Sequence, residues 1–248
     1  MSGDLKTLIT LADPTSPVSE AYRALRTNLI FASLDKPLRT LMLTSPGADE
    51  GKSTVLANLA VSIAQTERRV LAVDCDLRRP CLHELFGLPN EAGLTTLFID
   101  PEALANPPIQ ETPVPTLSVL TSGPLPAVPA DLVASRRMEE IIAWLAEQAE
   151  LVLFDSPPIN AVADAAILAT RVDGVLLAVR ERQTRREAVL EARERLARVN
   201  AHLLGAILNG VTPDRSFAAY YSRRVPAEAH REVGAETEAG AGAGAASG

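Results

Sequence analysis

The feature that most constrains the fold is a glycine-containing loop between an apolar strand pattern and a helix pattern. The apolar Leu41-Met42-Leu43 precedes the loop, and residues 55–64 follow it with helical character. In such a loop, successive backbone N–H groups converge on phosphate oxygens, and the positive end of the following helix adds to the attraction. The sequence therefore predicts a nucleotide-binding α/β fold. The residues expected to surround the phosphates are Gly47, Ala48, Asp49, Glu50, Gly51, Lys52, Ser53 and Thr54.

Two side chains of this loop carry specific expectations. Lys52 is placed to reach the β and γ phosphates as a catalytic residue, and the Ser53 hydroxyl is placed to ligate Mg²⁺. The strict pattern has a glycine five residues before Gly51, where this chain has Pro46, and its glycine stands one residue later. The chain contains 21 Arg and only three Lys, so a lysine at this position is not compositional background.

Composition narrows the class of protein. The chain has 248 residues, enough for one large α/β domain, and its net charge of −7 argues against a general nucleic-acid binder. Two cysteines indicate no disulfide framework, and three scattered histidines have no metal-ligand spacing. No apolar run approaches the roughly 20 residues that span a bilayer. We therefore expect a cytoplasmic protein. If it works at a membrane, another molecule must hold it there.

Strand patterns alternate with helix patterns along the chain. Strands are predicted at 40–45, 69–74, 117–120, 151–155, 175–179 and 202–209. Helices are predicted at 16–33, 55–64, 82–86, 94–98, 131–148 and 184–199. This alternation predicts a P-loop NTPase fold, with a mostly parallel sheet flanked by helices on both faces. Ligands of such sheets bind at the carboxyl ends of the strands, where the loop lies.

Local signals suggest the boundaries. Ser16 and Pro17 are typical of a helix N-cap and first helical residue, and Thr184 with Glu187 forms a capping-box pattern. We expect residues 1–15 to be an irregular lead and residues 16–225 to form the catalytic domain. From residue 226 the chain becomes acidic and then Gly/Ala-rich, a composition typical of a disordered tail.

Three aspartates follow predicted strands and complete the expected site. Asp155 ends an apolar strand, where a carboxylate can hold Mg²⁺ through water. Asp74 and Asp76 are two residues apart, so an extended backbone would turn both toward the γ phosphate. A phosphotransferase needs such a carboxylate because its acceptor hydroxyl loses a proton. The alternative left open is that one aspartate caps the next helix and the other is solvated.

A charged stripe lies on the first predicted helix. Glu20, Arg23 and Arg26 are spaced by three residues and so are neighbours on one face. By itself, such a stripe is most often a solvated surface.

Taken together, these segments resemble the cytoplasmic domain of bacterial tyrosine kinases of the capsule and exopolysaccharide type, the CpsD/CapB group. The resemblance covers roughly residues 10–225. The matching segments are Pro17–Asn28, Thr44–Gly47, Glu50–Thr54, Val73–Pro80, Gly93–Thr95, Ser122–Pro126, Phe154–Pro158 and Leu208–Gly210.

The resemblance implies roles for individual residues. Asp74 and Asp76 match a second acidic motif of the group and are the expected catalytic carboxylates beside Lys52; which of them accepts the proton stays open. The implied Mg²⁺ ligands are Ser53, Asp76 and Asp155. The implied adenine contact is Asn209, and the implied oligomerisation motif, which builds rings in the group, is Glu20, Arg23 and Arg26.

The resemblance also implies the biochemical setting. Members use ATP and Mg²⁺ to phosphorylate tyrosines in their own C-terminal cluster and on partner proteins, and a cognate phosphatase is expected. They are activated by the cytoplasmic tail of a membrane adaptor, or polysaccharide co-polymerase, which here would be a separate chain at the inner face of the plasma membrane. The C-terminal cluster is short in this sequence, where the expected phosphosites are Tyr220 and Tyr221.

Two other functions fit the same sheet. One is a positioning ATPase of the partition or septum-site type. Such proteins have an additional lysine early in the loop, and because residues 47–50 contain none, the sequence argues against this function. An ATP-dependent assembly factor with little kinase activity would regulate polysaccharide synthesis by cycling between ring and monomer. The short tyrosine cluster keeps this second alternative open.

Overall fold

The computed structural model describes residues 8–32 and 37–212. Within them, a seven-stranded sheet has the order β3-β4-β2-β5-β1-β6-β7. Every neighbouring pair is parallel except β3 with β4. The strands are β1 (Thr40–Thr44), β2 (Val70–Asp74), β3 (Gln110–Glu111), β4 (Leu117–Leu120), β5 (Leu151–Asp155), β6 (Gly174–Arg180) and β7 (Leu203–Asn209).

Helices connect the strands and cover both faces of the sheet. They are α1 (Ile9–Ala12), α2 (Pro17–Ala32), α3 (Lys52–Ala64), α4 (Leu82–Phe86), α5 (Thr96–Ile99), α6 (Pro129–Ala134), α7 (Arg136–Gln148), α8 (Asp164–Ala169) and α9 (Arg186–Arg198). A 3₁₀ helix spans Pro101–Leu104. The predicted fold class is confirmed.

The sheet separates two hydrophobic cores because successive strand residues point to opposite faces. Met42 packs in one core, with residues of α7 and α9, whereas Leu41 and Leu43 pack in the other, with residues of α2 and α3. All five residues of β1 are buried, as are those of β2 and β5. This burial on both faces explains why the parallel strands read as continuous apolar runs.

The local signals at the first helix are confirmed. Pro17 is the first residue of α2, and the Ser16 hydroxyl accepts the backbone N–H of Ser19 at 3.1 Å. Ser33, the predicted last residue of this helix, lies outside the described residues, and so do residues 213–248. Among the described residues, none of the helices has both the length and the apolar character needed to cross a membrane.

The single helix predicted over 131–148 is wrong, because Ser135 divides it. Ser135 has extended backbone angles (φ −66°, ψ 155°), and its side chain accepts the N–H of Met138 at 3.2 Å. Its own N–H donates to the carbonyl of Leu132 at 3.1 Å. A serine can therefore end α6 and begin α7, because its hydroxyl replaces a helical hydrogen bond.

The predicted capping box at Thr184 is also wrong. Helix α9 begins at Arg186, with Arg185 at the N-cap position and no side-chain cap. The Thr184 hydroxyl instead donates to the side chain of Glu50 in the glycine loop, at 2.8 Å. The Thr184 hydroxyl therefore makes a tertiary hydrogen bond and not the helix cap that the local sequence predicts.

Four of the described elements were not predicted, namely α1, α8, the edge strand β3 and the 3₁₀ helix at Pro101–Leu104. The turn of helix in α1 lies within the lead that we expected to be irregular. Elements this short, two to six residues, carry too little periodic pattern for a sequence signal. Helix α5 begins at Thr96 rather than at Leu94, as its pattern predicted.

Candidate active site

The glycine loop and the three aspartates meet at the carboxyl edge of the sheet. Asp74 and Asp155 end neighbouring strands and are paired in register. Beside them lies a cleft of about 260 Å³. Its lining residues are Ala48, Asp49, Gly51, Lys52, Ser53, Thr54, Asp76, Arg79, Cys81 and Pro158. The position agrees with the rule that open α/β sheets bind ligands outside the carboxyl ends of their strands.

Two residues of the loop have left-handed backbone angles. Asp49 has φ 61° and Gly51 has φ 81°. At Gly51 the positive φ favours glycine, and a β-carbon would also lie 2.3 Å from Nδ2 of Asn209 and so displace that side chain. Non-glycine residues in this region are strained, and the neighbouring structure must hold Asp49 in place. The loop is therefore shaped by its neighbours as well as by its own sequence.

Lys52 lies among the acidic groups of the cleft. Its Nζ is 3.0 Å from Oδ2 of Asp76 and 3.3 Å from both carboxylate oxygens of Asp155. Burial disfavours the charged form of Lys52, but the Asp155 and Asp76 carboxylates outweigh it and raise the pKa of Lys52. The Ser53 hydroxyl donates a hydrogen bond to Oδ2 of Asp155. Four predicted residues are thus brought together.

Asp155 is completely buried at the end of β5. Burial raises its pKa, and the Lys52 charge and the Ser53 hydrogen bond act against that rise. Oxygen donors from a hydroxyl and carboxylates suit Mg²⁺, which usually shares its coordination between one or two protein groups, water and substrate phosphates. In the part of the chain that the structure describes, no group of three or more His, Cys, Asp or Glu side chains forms a metal cluster of its own.

Asp74 and Asp76 have different surroundings. Asp74 is fully buried, and its Oδ2 accepts the backbone N–H groups of Cys81 at 3.0 Å and Leu82 at 2.9 Å. It therefore caps the start of α4, as the alternative predicted for one of the two aspartates. The other half of that alternative is wrong, because Asp76 is 3% exposed and not solvated. Burial and the Asp155 charge raise the pKa of Asp74 to about 7. Asp76 lines the cleft and pairs with Lys52.

The two arginines that follow these aspartates also separate. Arg78 donates two hydrogen bonds to Asp164, from Nε at 2.8 Å and from Nη2 at 3.1 Å. Asp164 is 2% exposed at the start of α8, so this pair joins the end of β2 to α8. Arg79 is exposed and lines the cleft. The sequence pattern did not identify Asp164, because its partner is 86 residues away.

Asn209 lies at the carboxyl end of β7, beside the loop. Its Nδ2 donates to the backbone carbonyl of Glu50 at 3.0 Å, and its Oδ1 accepts the N–H of Gly210 at 2.9 Å. Arg180 and Thr184, which sequence reasoning did not place in the site, also contact the loop. No local pattern pointed to these two contacts, since they join residues more than 130 positions apart.

The charged stripe lies on α2, away from the cleft. Arg23 pairs with Glu20 and also donates to the carbonyl of Pro14. Arg26 donates to the carbonyl of Ser62 at 2.6 Å. Ser62 is ten residues beyond Lys52 in α3, roughly 15 Å along the helix axis. The stripe is therefore separated from the phosphate loop.

Of the three tyrosines, Tyr22 is the one that lies within the described residues. Tyr22 packs against the core formed by α2 and α3, and burial raises its pKa to about 12. Tyr220 and Tyr221, the predicted phosphosites, lie outside the described residues.

Comparisons with known proteins show the family of this chain. The model of the CobQ/CobB/MinD/ParA nucleotide binding domain matches residues 41–225. Tyrosine-protein kinase YwqD of Bacillus subtilis is 42% identical over 205 residues, covering 83% of this chain and 86% of YwqD.

Two solved structures are also similar to this chain. The chimerical protein CapA2B2 has a TM-score of 0.77 at 34% identity, covering 84% of this chain and 91% of the chimera. The kinase domain of the Escherichia coli tyrosine kinase ETK has a TM-score of 0.76 at 36% identity, covering 82% of this chain and 80% of that domain. The resemblance noted from the sequence is thereby confirmed. The chain belongs to the family of bacterial tyrosine-protein kinases, which is built on this nucleotide-binding domain.

Proposed function

We propose that this chain transfers the γ-phosphoryl group of ATP to tyrosine hydroxyls of proteins and so regulates capsule or exopolysaccharide synthesis. The observation that carries the proposal is a second acidic motif, Asp74-Cys75-Asp76, beside the phosphate loop. A simple nucleotide switch does not need it, whereas transfer to a hydroxyl does. The named relatives favour a kinase over a positioning ATPase.

In this proposal Lys52 neutralises charge on the β and γ phosphates as the bond between the γ phosphorus and the bridging oxygen breaks. The loop residues from Gly47 to Thr54 bind the phosphates, and Asn209 contacts the adenine. Ser53 and Asp155 would hold Mg²⁺, with Asp76 beside them, and the ion would supply charge stabilisation to the phosphates.

The two motif aspartates take different roles. Asp76 lines the cleft, so we assign to its carboxylate the proton of the tyrosine hydroxyl as that oxygen bonds to the γ phosphorus. Asp74 is a positioning residue: its Oδ1 accepts the N–H of Asp76 at 3.2 Å, and its Oδ2 caps α4. ADP leaves, and the phosphotyrosine carries the transferred group.

The remaining parts of the proposal concern partners. A separate membrane adaptor would activate the chain through its cytoplasmic tail and recruit it to the inner face of the plasma membrane. Glu20, Arg23 and Arg26 would contribute to a ring of subunits. Tyr220 and Tyr221 would be phosphorylated by a neighbouring subunit, and a phosphatase would reverse the reaction. Supporting this setting, the similar solved structures include the chimerical protein CapA2B2.

The test is incubation with labelled ATP and Mg²⁺, with and without the adaptor tail, followed by mapping of phosphotyrosine by mass spectrometry. The wild type should incorporate phosphate and Lys52→Met should not. A double variant, Tyr220→Phe/Tyr221→Phe, should lose autophosphorylation but still phosphorylate partner proteins. If the wild type binds ATP yet forms no phosphotyrosine on any added protein, the assembly-factor function is the correct one.

A further inference from the structure

We propose that Arg180 and Thr184 are positioning residues that aim the backbone N–H groups of the phosphate loop at the nucleotide. This inference rests on the proposed function only in requiring that the loop binds ATP. Neither residue lines the cleft, so each acts through the loop residues that it holds.

Arg180 and Asn209 bind the backs of two consecutive loop peptides. Nη1 of Arg180 donates to the carbonyl of Asp49 at 3.0 Å, and Nδ2 of Asn209 donates to the carbonyl of Glu50 at 3.0 Å. In a planar trans peptide, the N–H points opposite to the carbonyl. Holding these two carbonyls on the β6–β7 side therefore turns the N–H groups of Glu50 and Gly51 the other way.

That direction matters because the two N–H groups belong to the loop that converges on phosphate. Asp49 has a positive φ angle, which residues other than glycine rarely adopt in an isolated chain, so the neighbouring structure must hold the peptide that follows it. A guanidinium bound to the Asp49 carbonyl stabilises that conformation before any nucleotide arrives. Preorganised donors of this kind bind better than donors that must first be ordered.

Thr184 holds the side chain of Glu50. Its hydroxyl accepts the backbone N–H of Arg180 at 2.9 Å and donates to Oε1 of Glu50 at 2.8 Å. A hydroxyl has one hydrogen, so accepting from Arg180 leaves that hydrogen for Glu50. Thr184 thus fastens Glu50, the residue between Asp49 and Gly51, to the β6–α9 connection.

Glu50 depends strongly on this contact. It is 5% exposed, and its Oε2 has no hydrogen-bond partner among the described residues. A buried carboxyl that loses a donor is left with an uncompensated desolvation penalty. Removing the Thr184 hydroxyl should therefore release Glu50, whose peptide groups carry the carbonyls that Arg180 and Asn209 hold.

The experiment measures ATP binding by calorimetry without any protein acceptor, together with KM for ATP and kcat. Arg180→Ala and Thr184→Val should each weaken ATP binding and raise KM about tenfold, equivalent to about 1.4 kcal/mol. The value of kcat should stay within about threefold, because neither residue touches the reacting atoms. Inorganic tripolyphosphate, which has no base or ribose, should show the same loss of affinity as ATP.

The chain offers matched controls. Arg182→Ala removes an 85% exposed arginine from the same connection, and Thr112→Val removes a hydroxyl that donates to the Leu117 carbonyl at 2.9 Å in the β3–β4 region. Both should leave KM unchanged. Thr184→Ser, which keeps the hydroxyl, should restore the wild-type KM. With Glu50→Ala already present, Thr184→Val should add nothing, since it acts through Glu50.

The inference is overturned if Arg180→Ala and Thr184→Val change KM no more than their controls do in folded protein. It also fails if tripolyphosphate binding is unaffected while ATP binding falls, because the two residues would then serve the nucleoside. Wild-type protein that does not bind ATP would sink this inference and the kinase proposal together. A wild type that binds ATP but transfers no phosphate would sink only the latter.

Discussion

Charged side chains occupy two contrasting settings, the nucleotide cleft and the surface of α2. In the cleft, the side chains of Lys52, Asp76 and Asp155 are 12%, 5% and 0% exposed, and they pair with one another. On α2, the side chains of Glu20 and Arg23 are 36% and 34% exposed. Removing one partner of a buried pair leaves an uncompensated charge, whereas an exposed pair contributes little. Burial therefore separates the charges of the nucleotide cleft from the paired charges on α2, which remain accessible to another molecule.

The largest difference between the two regions should come from Lys52→Met compared with Arg23→Met. Loss of Lys52 removes the cation expected at the β and γ phosphates and leaves Asp76 and Asp155 without their shared partner. We expect tyrosine phosphorylation to fall by about 10³-fold or more and ATP binding to weaken. Arg23→Met should change neither by more than about twofold. Unchanged turnover in folded Lys52→Met protein would rule out the phosphate-loop assignment.

Within the Asp74-Cys75-Asp76 motif, Asp76→Asn should affect the reaction more than Asp74→Asn. Asp76 lines the cleft and is the proposed proton acceptor, so kcat should fall by about 10²-fold or more with a smaller change in ATP affinity. Because an asparagine at 74 still offers an oxygen to the N–H of Leu82, Asp74→Asn should lower kcat by only about tenfold. Asp131→Asn, an exposed change, is the control. Normal turnover in both motif variants would mean that the motif is structural.

Stability should depend on pH through Asp74. Its pKa rises from 3.8 to about 7 on folding, so between these values the folded protein holds more protons than the unfolded chain. The free energy of unfolding therefore falls as the pH rises through this window, and the loss is complete above it.

Asp74→Asn removes this dependence, because asparagine carries no charge to bury. Relative to wild type, the variant should gain a few kcal/mol of stability as the pH rises from about 4 to about 8. Urea unfolding across this range, with Asp131→Asn as the control, measures the difference. A constant difference between wild type and Asp74→Asn would show that the carboxyl of Asp74 does not titrate in the window.

The smallest effect on the nucleotide site should come from replacing Glu20, Arg23 and Arg26 together with Ala. The Glu20–Arg23 pair contributes little, but Arg23 and Arg26 each donate to a backbone carbonyl, so the free energy of unfolding should fall by about 1–3 kcal/mol. Nucleotide affinity should be unchanged, while light scattering should show a smaller particle if these charges pair across a ring. A wild type that stays monomeric with ATP, Mg²⁺ and the adaptor tail present would contradict the oligomerisation role.

The parts of the fold that were predictable are those with strong local patterns. The runs 117–120 and 151–155 were predicted to the residue, and the loop, Lys52, Ser53 and Asp155 meet as their order along the strands implied. Buried parallel strands can be recognised in a sequence as continuous apolar runs, because both of their faces are apolar. The break at Ser135 was not predicted, since a serine in a helical pattern has several uses and packing selects one.

The sequence by itself determined the family, the strand–loop–helix unit and the identity of the charged groups, because these follow from residue types at fixed short spacings. Only the tertiary structure decided the position and the partner of each of those groups. It buried Asp74 beneath α4, left Asp76 in the cleft, joined Arg78 to Asp164 and turned Thr184 from its own helix to Glu50. Each of these outcomes depends on burial and on partners far away in the chain, and neither quantity is encoded in a local pattern.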